Sequence, residues 1–169
     1  ADWAHAGDAA ITLQDLLEAG SHFKRDFARW RKHVAQLKKT HPLDYNRNGD
    51  LIQPPEVLRA LNEVTAGDAI VCTGVGQHQM WSAQYFDFRE PRSFITSGSM
   101  GTMGFGLPAA IGAKVARPDR TVIDVDGDGS LRMNIGELET ATSYGVPVKV
   151  LLLNNSGDGM VLQWQRLYF

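Results

Sequence analysis

The sequence predicts an α/β protein, a parallel sheet flanked by helices and preceded by a linker helix. Three observations lead there. From Pro54 onward, short apolar segments alternate with segments of helical period. Two of the short segments, Thr121-Val122-Ile123-Asp124-Val125 and Val148-Lys149-Val150-Leu151-Leu152-Leu153, are almost continuously apolar, as strands covered on both faces are. Each runs into a cluster of Asp, Asn, Gly and Ser, at the strand end where such sheets hold ligands.

Each element has its own reason. Residues 1–20 hold Gly7-Asp8-Ala9 followed by Leu13, Leu16 and Leu17, which predicts the end of one strand and a short helix. Residues 21–39 follow a helical period, with Phe23, Phe27, Trp30, Val34 and Leu37 on one stripe. The opposite face carries Lys24, Arg25, Arg29, Arg31, Lys32, Lys38 and Lys39. No aromatic residue interrupts the basic side, so it reads as a solvated face rather than a nucleic-acid surface. Residues 40–50, with Pro42, Asn46, Asn48 and Gly49, are turn-rich and read as the end of a linker that spans 21–50. Pro54-Pro55 opens a helix from Glu56 to Val64. Strands are expected at Ala69–Thr73, Ser93–Thr96, Thr121–Asp126 and Val148–Leu153. Helices are expected at Phe105–Ala116, at Asn134–Tyr144 and from Gly159 onward.

Composition narrows the function classes. The formal net charge of −2 supplies no global field for nucleic acid or a membrane surface. No apolar run approaches the ~20 residues of a membrane helix. The single cysteine, Cys72, permits no internal disulfide, which fits a reducing compartment; the expected location is the cytoplasm, with an organelle left open. The start, Ala1-Asp2-Trp3-Ala4-His5, has neither the basic flank nor the apolar stretch of a signal peptide. The chain opens without Met and closes at Gln165-Arg166-Leu167-Tyr168-Phe169 inside a helical pattern, so a fragment of a longer polypeptide is expected.

The chemistry sits at two strand ends, Asp126-Gly127-Asp128-Gly129-Ser130 and Asn154-Asn155-Ser156-Gly157. If the two strands are neighbours, Asp128 and Asn155 converge. Asp128 offers a carboxylate oxygen, Asn155 an amide oxygen, and the loop after Asn155 a backbone carbonyl. Three protein oxygens leave an octahedral Mg²⁺ shell open for phosphate oxygens and water. Gly127 and Gly129 are expected to let the backbone come close to a ligand. N–H groups near Ser130, at the start of a helix, can donate to a phosphate.

Gly112, Pro118, the run Ile123–Ser130 and Asn154-Asn155 together resemble the thiamine-diphosphate signature, GDG followed by about two dozen residues and NN. Within that superfamily the chain resembles the catalytic subunit of acetohydroxyacid (acetolactate) synthases. The residues that carry this are Gly74-Val75-Gly76-Gln77-His78-Gln79-Met80-Trp81, the run Gly104–Ala113, and Gly159-Met160-Val161 with Gln163-Trp164. The resemblance implies that residues 1–20 end a middle domain and that 51–169 form the diphosphate-binding domain, truncated at its C-terminus. It implies Mg²⁺ ligation by Asp128, Asn155 and the Gly157 carbonyl. Gln77 and His78 would touch the diphosphate, and Gly101, Thr102 and Met103 the aminopyrimidine ring. Gly129, Ser130, Ser156, Gly157, Asp158, Gly159 and Met160 would complete the cofactor wall, and Met160, Val161 and Trp164 the substrate pocket. FAD would be bound mostly elsewhere, near Gly98 and Ser99 here. The implied activity, in branched-chain amino acid biosynthesis, is decarboxylation of pyruvate and condensation with a second 2-oxoacid. Homodimers or homotetramers of the full-length subunit are implied, with a possible regulatory subunit. The family's proton-transfer Glu belongs to an N-terminal domain, and no position here matches it, so the isolated chain is expected to be inactive.

Three other readings compete. Other thiamine-diphosphate decarboxylases, oxidases and carboligases share GDG and NN. Asp124–Gly129 copies the first half of an EF-hand loop, and so does Asp44–Gly49, but the twelfth positions, where that loop needs Glu, are Ile135 and Pro55. Gly104-Phe105-Gly106-Leu107-Pro108-Ala109 resembles a dinucleotide-binding turn, without a convincing strand before it.

Overall fold

The computed structural model describes residues 4–24, 26–47 and 49–169. The chain divides into two compact units, Ala1–Asp44 and Tyr45–Phe169. Arg25 and Asn48, like the first three residues of the start, lie outside the described residues.

In the first unit, helix α1 (Ala9–Gly20) starts at Asp8, whose Oδ1 accepts from the backbone N–H of Ala10 at 3.0 Å and of Ile11 at 3.1 Å. The expected strand is absent from residues 4–8, because Asp8 is spent as a helix cap. The helix expected from 21 begins only at Ala28, giving α2 (Ala28–Thr40). Asp26 Oδ1 accepts from the Ala28 N–H at 2.8 Å and starts the helix there, which leaves Phe23 outside it. Neither helix buries a residue, and Trp30 of the aromatic stripe is 62% exposed.

The second unit is a four-stranded, wholly parallel sheet in the order β2-β1-β3-β4. In chain order its elements are α3 (Pro54–Thr65), β1 (Ile70–Thr73), α4 (Gln77–Tyr85), β2 (Phe94–Thr96), α5 (Gly106–Ala116), β3 (Val122–Gly127), α6 (Asp128–Met133), α7 (Glu137–Ser143), β4 (Lys149–Leu153) and α8 (Gly159–Tyr168). Pro54 and Pro55 occupy the first turn of α3, where their missing N–H groups cost nothing. On one face Val71, Ile123 and Val125 pack with Leu58 and Phe86. On the other, Ile70, Cys72 and Val122 pack with Ala110 of α5. Leu107, Ile111, Leu131 and Ala141 then bind α5, α6 and α7 to one another.

Two expectations are corrected. The helix expected over Asn134–Tyr144 begins only at Glu137, as α7, and a separate short helix, α6, precedes it; Asn134–Gly136 lie between them, where the Asn134 side chain donates to the Gly104 carbonyl. The run Val148–Leu153 is not covered on both faces. As the edge strand β4, it packs Leu151 and Leu153 on the core and leaves Val150 and Leu152 37% and 42% exposed. Helix α4 had no sequence expectation, since Gln77–Tyr85 has no apolar period.

Candidate functional site: a cavity at the strand ends

The order β2-β1-β3-β4 places the reversal of winding between β1 and β3. The connection after β1 leads to β2 on one side, and that after β3 to β4 on the other. A crevice opens at the carboxyl ends of strands at such a point. Here it is a cavity of about 210 Å³, walled by the segments that follow β1, β3 and β4 and by the starts of α4 and α8.

The register Gly127↔Leu153 sets the two loaded strand ends side by side. Asp128, Asn155 and Gly157 all line this cavity. So do Gln77, His78, Gly101, Met103, Gly129, Ser130, Asp158, Gly159, Met160 and Val161. Three predicted residues stand apart. Thr102, exposed, does not line the cavity, its N–H donating to Ser97 Oγ at 3.0 Å. Ser156, in the left-handed region at φ 58, borders a neighbouring depression with Asn154. Trp164 is 55% exposed and stacks on Tyr168 at 4.9 Å. Gly98 and Ser99 do not line the cavity.

The loops are built by their own side chains. Asn154 Oδ1 accepts from the Ser156 N–H at 2.8 Å and Asn155 Oδ1 from the Gly157 N–H at 3.2 Å, two successive Asx turns that fold the loop back toward Asp128. Ser130 Oγ, buried, accepts from the Gly104 N–H at 2.9 Å, and Asn134 Nδ2 donates to the Gly104 carbonyl at 2.9 Å. Together they pin the segment 101–104 over the cavity. Gln77 Nε2 donates to Gln163 Oε1 at 2.8 Å and ties α4 to α8.

Gly127 and Gly129, both in the cavity lining, also make room for the protein's own side chains. A Cβ on Gly127 would lie 2.8 Å from His78 Nδ1, and one on Gly129 2.2 Å from Asp158 Oδ1.

His78 is buried, and its Nε2 lies 3.1 Å from Oδ1 of Asp126, itself wholly buried. The distance is that of a hydrogen bond, but the N–H is poorly aligned, so Nε2 keeps no well-formed bond among the described residues. Below this pair, Asp124 is wholly buried and neither of its oxygens has a hydrogen-bond partner among the described residues. Burial, helped by the charge of Asp126, pushes its carboxyl up to about 8. Burial, then Asp124, pushes the neighbouring Cys72 thiol up to about 12, which makes it a poor nucleophile.

Among the described residues no group of three or more His, Cys, Asp or Glu is placed to hold a metal. The donor set at the cavity is instead one carboxylate, one amide oxygen and a carbonyl. That set suits a hard cation only if a ligand such as a diphosphate supplies further oxygens. The EF-hand reading fails here: Asp124 and Asp126 point into the core, a strand precedes them, and Ile135 supplies no oxygen. The dinucleotide reading fails as well, since a Cβ on Gly106 would lie 2.5 Å from the Gly74 backbone N. That glycine serves the packing of helix on strand.

Residues 74–169 match the model of the family described as thiamine pyrophosphate enzyme, C-terminal TPP binding domain. The chain belongs to this family. Its curated relatives include "Acetolactate synthase 1, chloroplastic" of Nicotiana tabacum, 51% identical over 93% of this chain and 24% of the relative. "Acetolactate synthase, chloroplastic" of Arabidopsis thaliana is 47% identical over 96% of this chain and 25% of its own length. "Acetolactate synthase 1, chloroplastic" of Zea mays is 46% identical over 96% and 26%. The chain thus spans about a quarter of the length of these relatives. The residues missed by sequence reasoning are those that support the cavity: Asp126 under His78, Ser97 and Asn134 behind the 101–104 segment, and Trp81 in the wall. Asp126 directly precedes the GDG run and Trp81 closes the Gly74–Trp81 motif, while Ser97 and Asn134 carry no motif. No helix among the described residues is long and apolar enough to cross a membrane.

Proposed function

We propose that this chain is the diphosphate-binding part of an acetolactate synthase, which decarboxylates pyruvate and joins the remainder to a second 2-oxoacid for branched-chain amino acid biosynthesis. The observation that carries the reading is the convergence of Asp128, Asn155 and Gly157 on one cavity beside Gln77 and His78.

When bound, thiamine diphosphate supplies the electron sink for decarboxylation. The chain's residues bind and orient. Asp128, the Asn155 amide oxygen and the Gly157 carbonyl would hold Mg²⁺ against the diphosphate, and the Asp128 charge offsets that of the cation. Gln77 and His78 would contact phosphate oxygens. Met103, held by the pinned Gly104, would press on the cofactor from above, next to Gly101. Met160 and Val161 would shape the substrate side, with Trp164 on the outer face of α8. FAD would contact this chain only near Gly98 and Ser99, and assembly as a homodimer or homotetramer with a regulatory subunit belongs to the whole polypeptide.

Calorimetry with Mg²⁺ and thiamine diphosphate tests the reading. The chain should bind the cofactor only with a divalent cation, and Asp128→Asn should weaken binding about tenfold or more, ~1.4 kcal/mol. Binding that ignores both the cation and Asp128 would overturn the proposal. Product analysis with the intact protein and pyruvate separates a synthase from an oxidase or decarboxylase.

A further inference from the structure

Asp158 begins helix α8 but does not cap it. At the N-cap position an aspartate ordinarily accepts from the first free N–H groups, yet this side chain takes no such bond. Its carboxylate has no hydrogen-bond or ion-pair partner among the described residues. The side chain turns instead toward the other loaded strand end. A Cβ on Gly129, the residue after Asp128, would lie 2.2 Å from Asp158 Oδ1. Asp158 thereby lines the same cavity as Asp128, Asn155 and Gly157. Two carboxylates and a diphosphate in one cavity repel one another unless a cation lies among them.

We infer that Asp158 supplies a second carboxylate, beside Asp128, to the divalent cation of the cavity. The inference rests on the proposed cation site. With Asp128 alone the protein offers a divalent ion one negative charge, and the diphosphate must supply the rest. With Asp158 the two carboxylates match the charge of the ion before any phosphate arrives. The affinity of an oxygen site for such an ion is tuned by the number of charged ligands. The Asn155 amide oxygen and the Gly157 carbonyl extend the set and still leave positions of an octahedral shell open for phosphate and water. The chain should therefore take up the cation first and the diphosphate onto the bound ion.

Manganese is the probe, since free Mn²⁺ gives an electron paramagnetic resonance signal that bound Mn²⁺ loses. Titrated into the chain without thiamine diphosphate, Mn²⁺ should occupy a single site from which Mg²⁺ displaces it. Asp158→Asn, which removes the charge and keeps the shape, should weaken that binding about tenfold, with circular dichroism checking that the fold is kept. Asp119→Asn, where the carboxylate lost is one that pairs with Arg117, should leave it unchanged. Binding as tight or tighter in Asp158→Asn overturns the inference. So does an equal loss in Asp119→Asn, or an unaltered chain that holds no Mn²⁺ without the cofactor. Mn²⁺ binding that depends on Asp158, in a chain that takes up no thiamine diphosphate, would uphold this inference and count against the proposed function. Mn²⁺ and cofactor binding that need Asp128 but not Asp158 would do the reverse.

Discussion

Asp124 illustrates what a single residue can do to a fold that a motif does not advertise. It sits in register beside Cys72, under α5, with no hydrogen-bond partner among the described residues. Its carboxyl ionises at about 8 when folded, against 3.8 ordinarily. Between those values the folded chain holds a proton that the unfolded chain has lost. The stabilisation is therefore complete below the ordinary value and is lost as pH rises toward 8. The slope approaches ~1.4 kcal/mol per pH unit for one group. Asp124→Asn should flatten this dependence and raise stability at pH 8; denaturant melts of both proteins from pH 5 to pH 8 measure it, and equal slopes would refute the account. The sequence shows an aspartate in an apolar strand but not which face it enters or what lies above it. The same holds for Gly127 and Gly129: their smallness is legible, while the neighbours that require it, His78 and Asp158, are distant in sequence.

Strands and helices with a strong period were legible within a residue or two, as β1, β3 and α5 show. Gln77–Tyr85 forms a helix although its pattern has no apolar period. Between α6 and α7, Asn134 bonds Gly104, thirty residues away. Across those elements the 101–104 segment depends on Ser130 as well. Ser130→Ala would strand the buried Gly104 N–H and should cost about 1–3 kcal/mol, seen as a fall of the thermal midpoint. Ser143→Ala, on the exposed face of α7, should leave the midpoint nearly unmoved. Equal effects of the two would show that the Ser130 bond carries no special weight.

For the molecule as a whole, the proposed Mg²⁺ donors all lie in the Tyr45–Phe169 unit, and the proposed function gives no residue there proton transfer to or from substrate. The chain with thiamine diphosphate and Mg²⁺ should therefore yield no acetolactate from pyruvate; colorimetric detection of acetolactate above a protein-free control would contradict this. Short-range signals in the sequence determined the alternation of strand and helix, the cofactor signature and the residue types of the donor set, because period, turn chemistry and motif spacing are local properties. Only the tertiary structure decided the sheet order, the open face of β4, the burial of Asp124 and the seating of His78 on Asp126. Each of these depends on which segments meet across the sheet, and hydrophobic packing settles that between residues far apart along the chain.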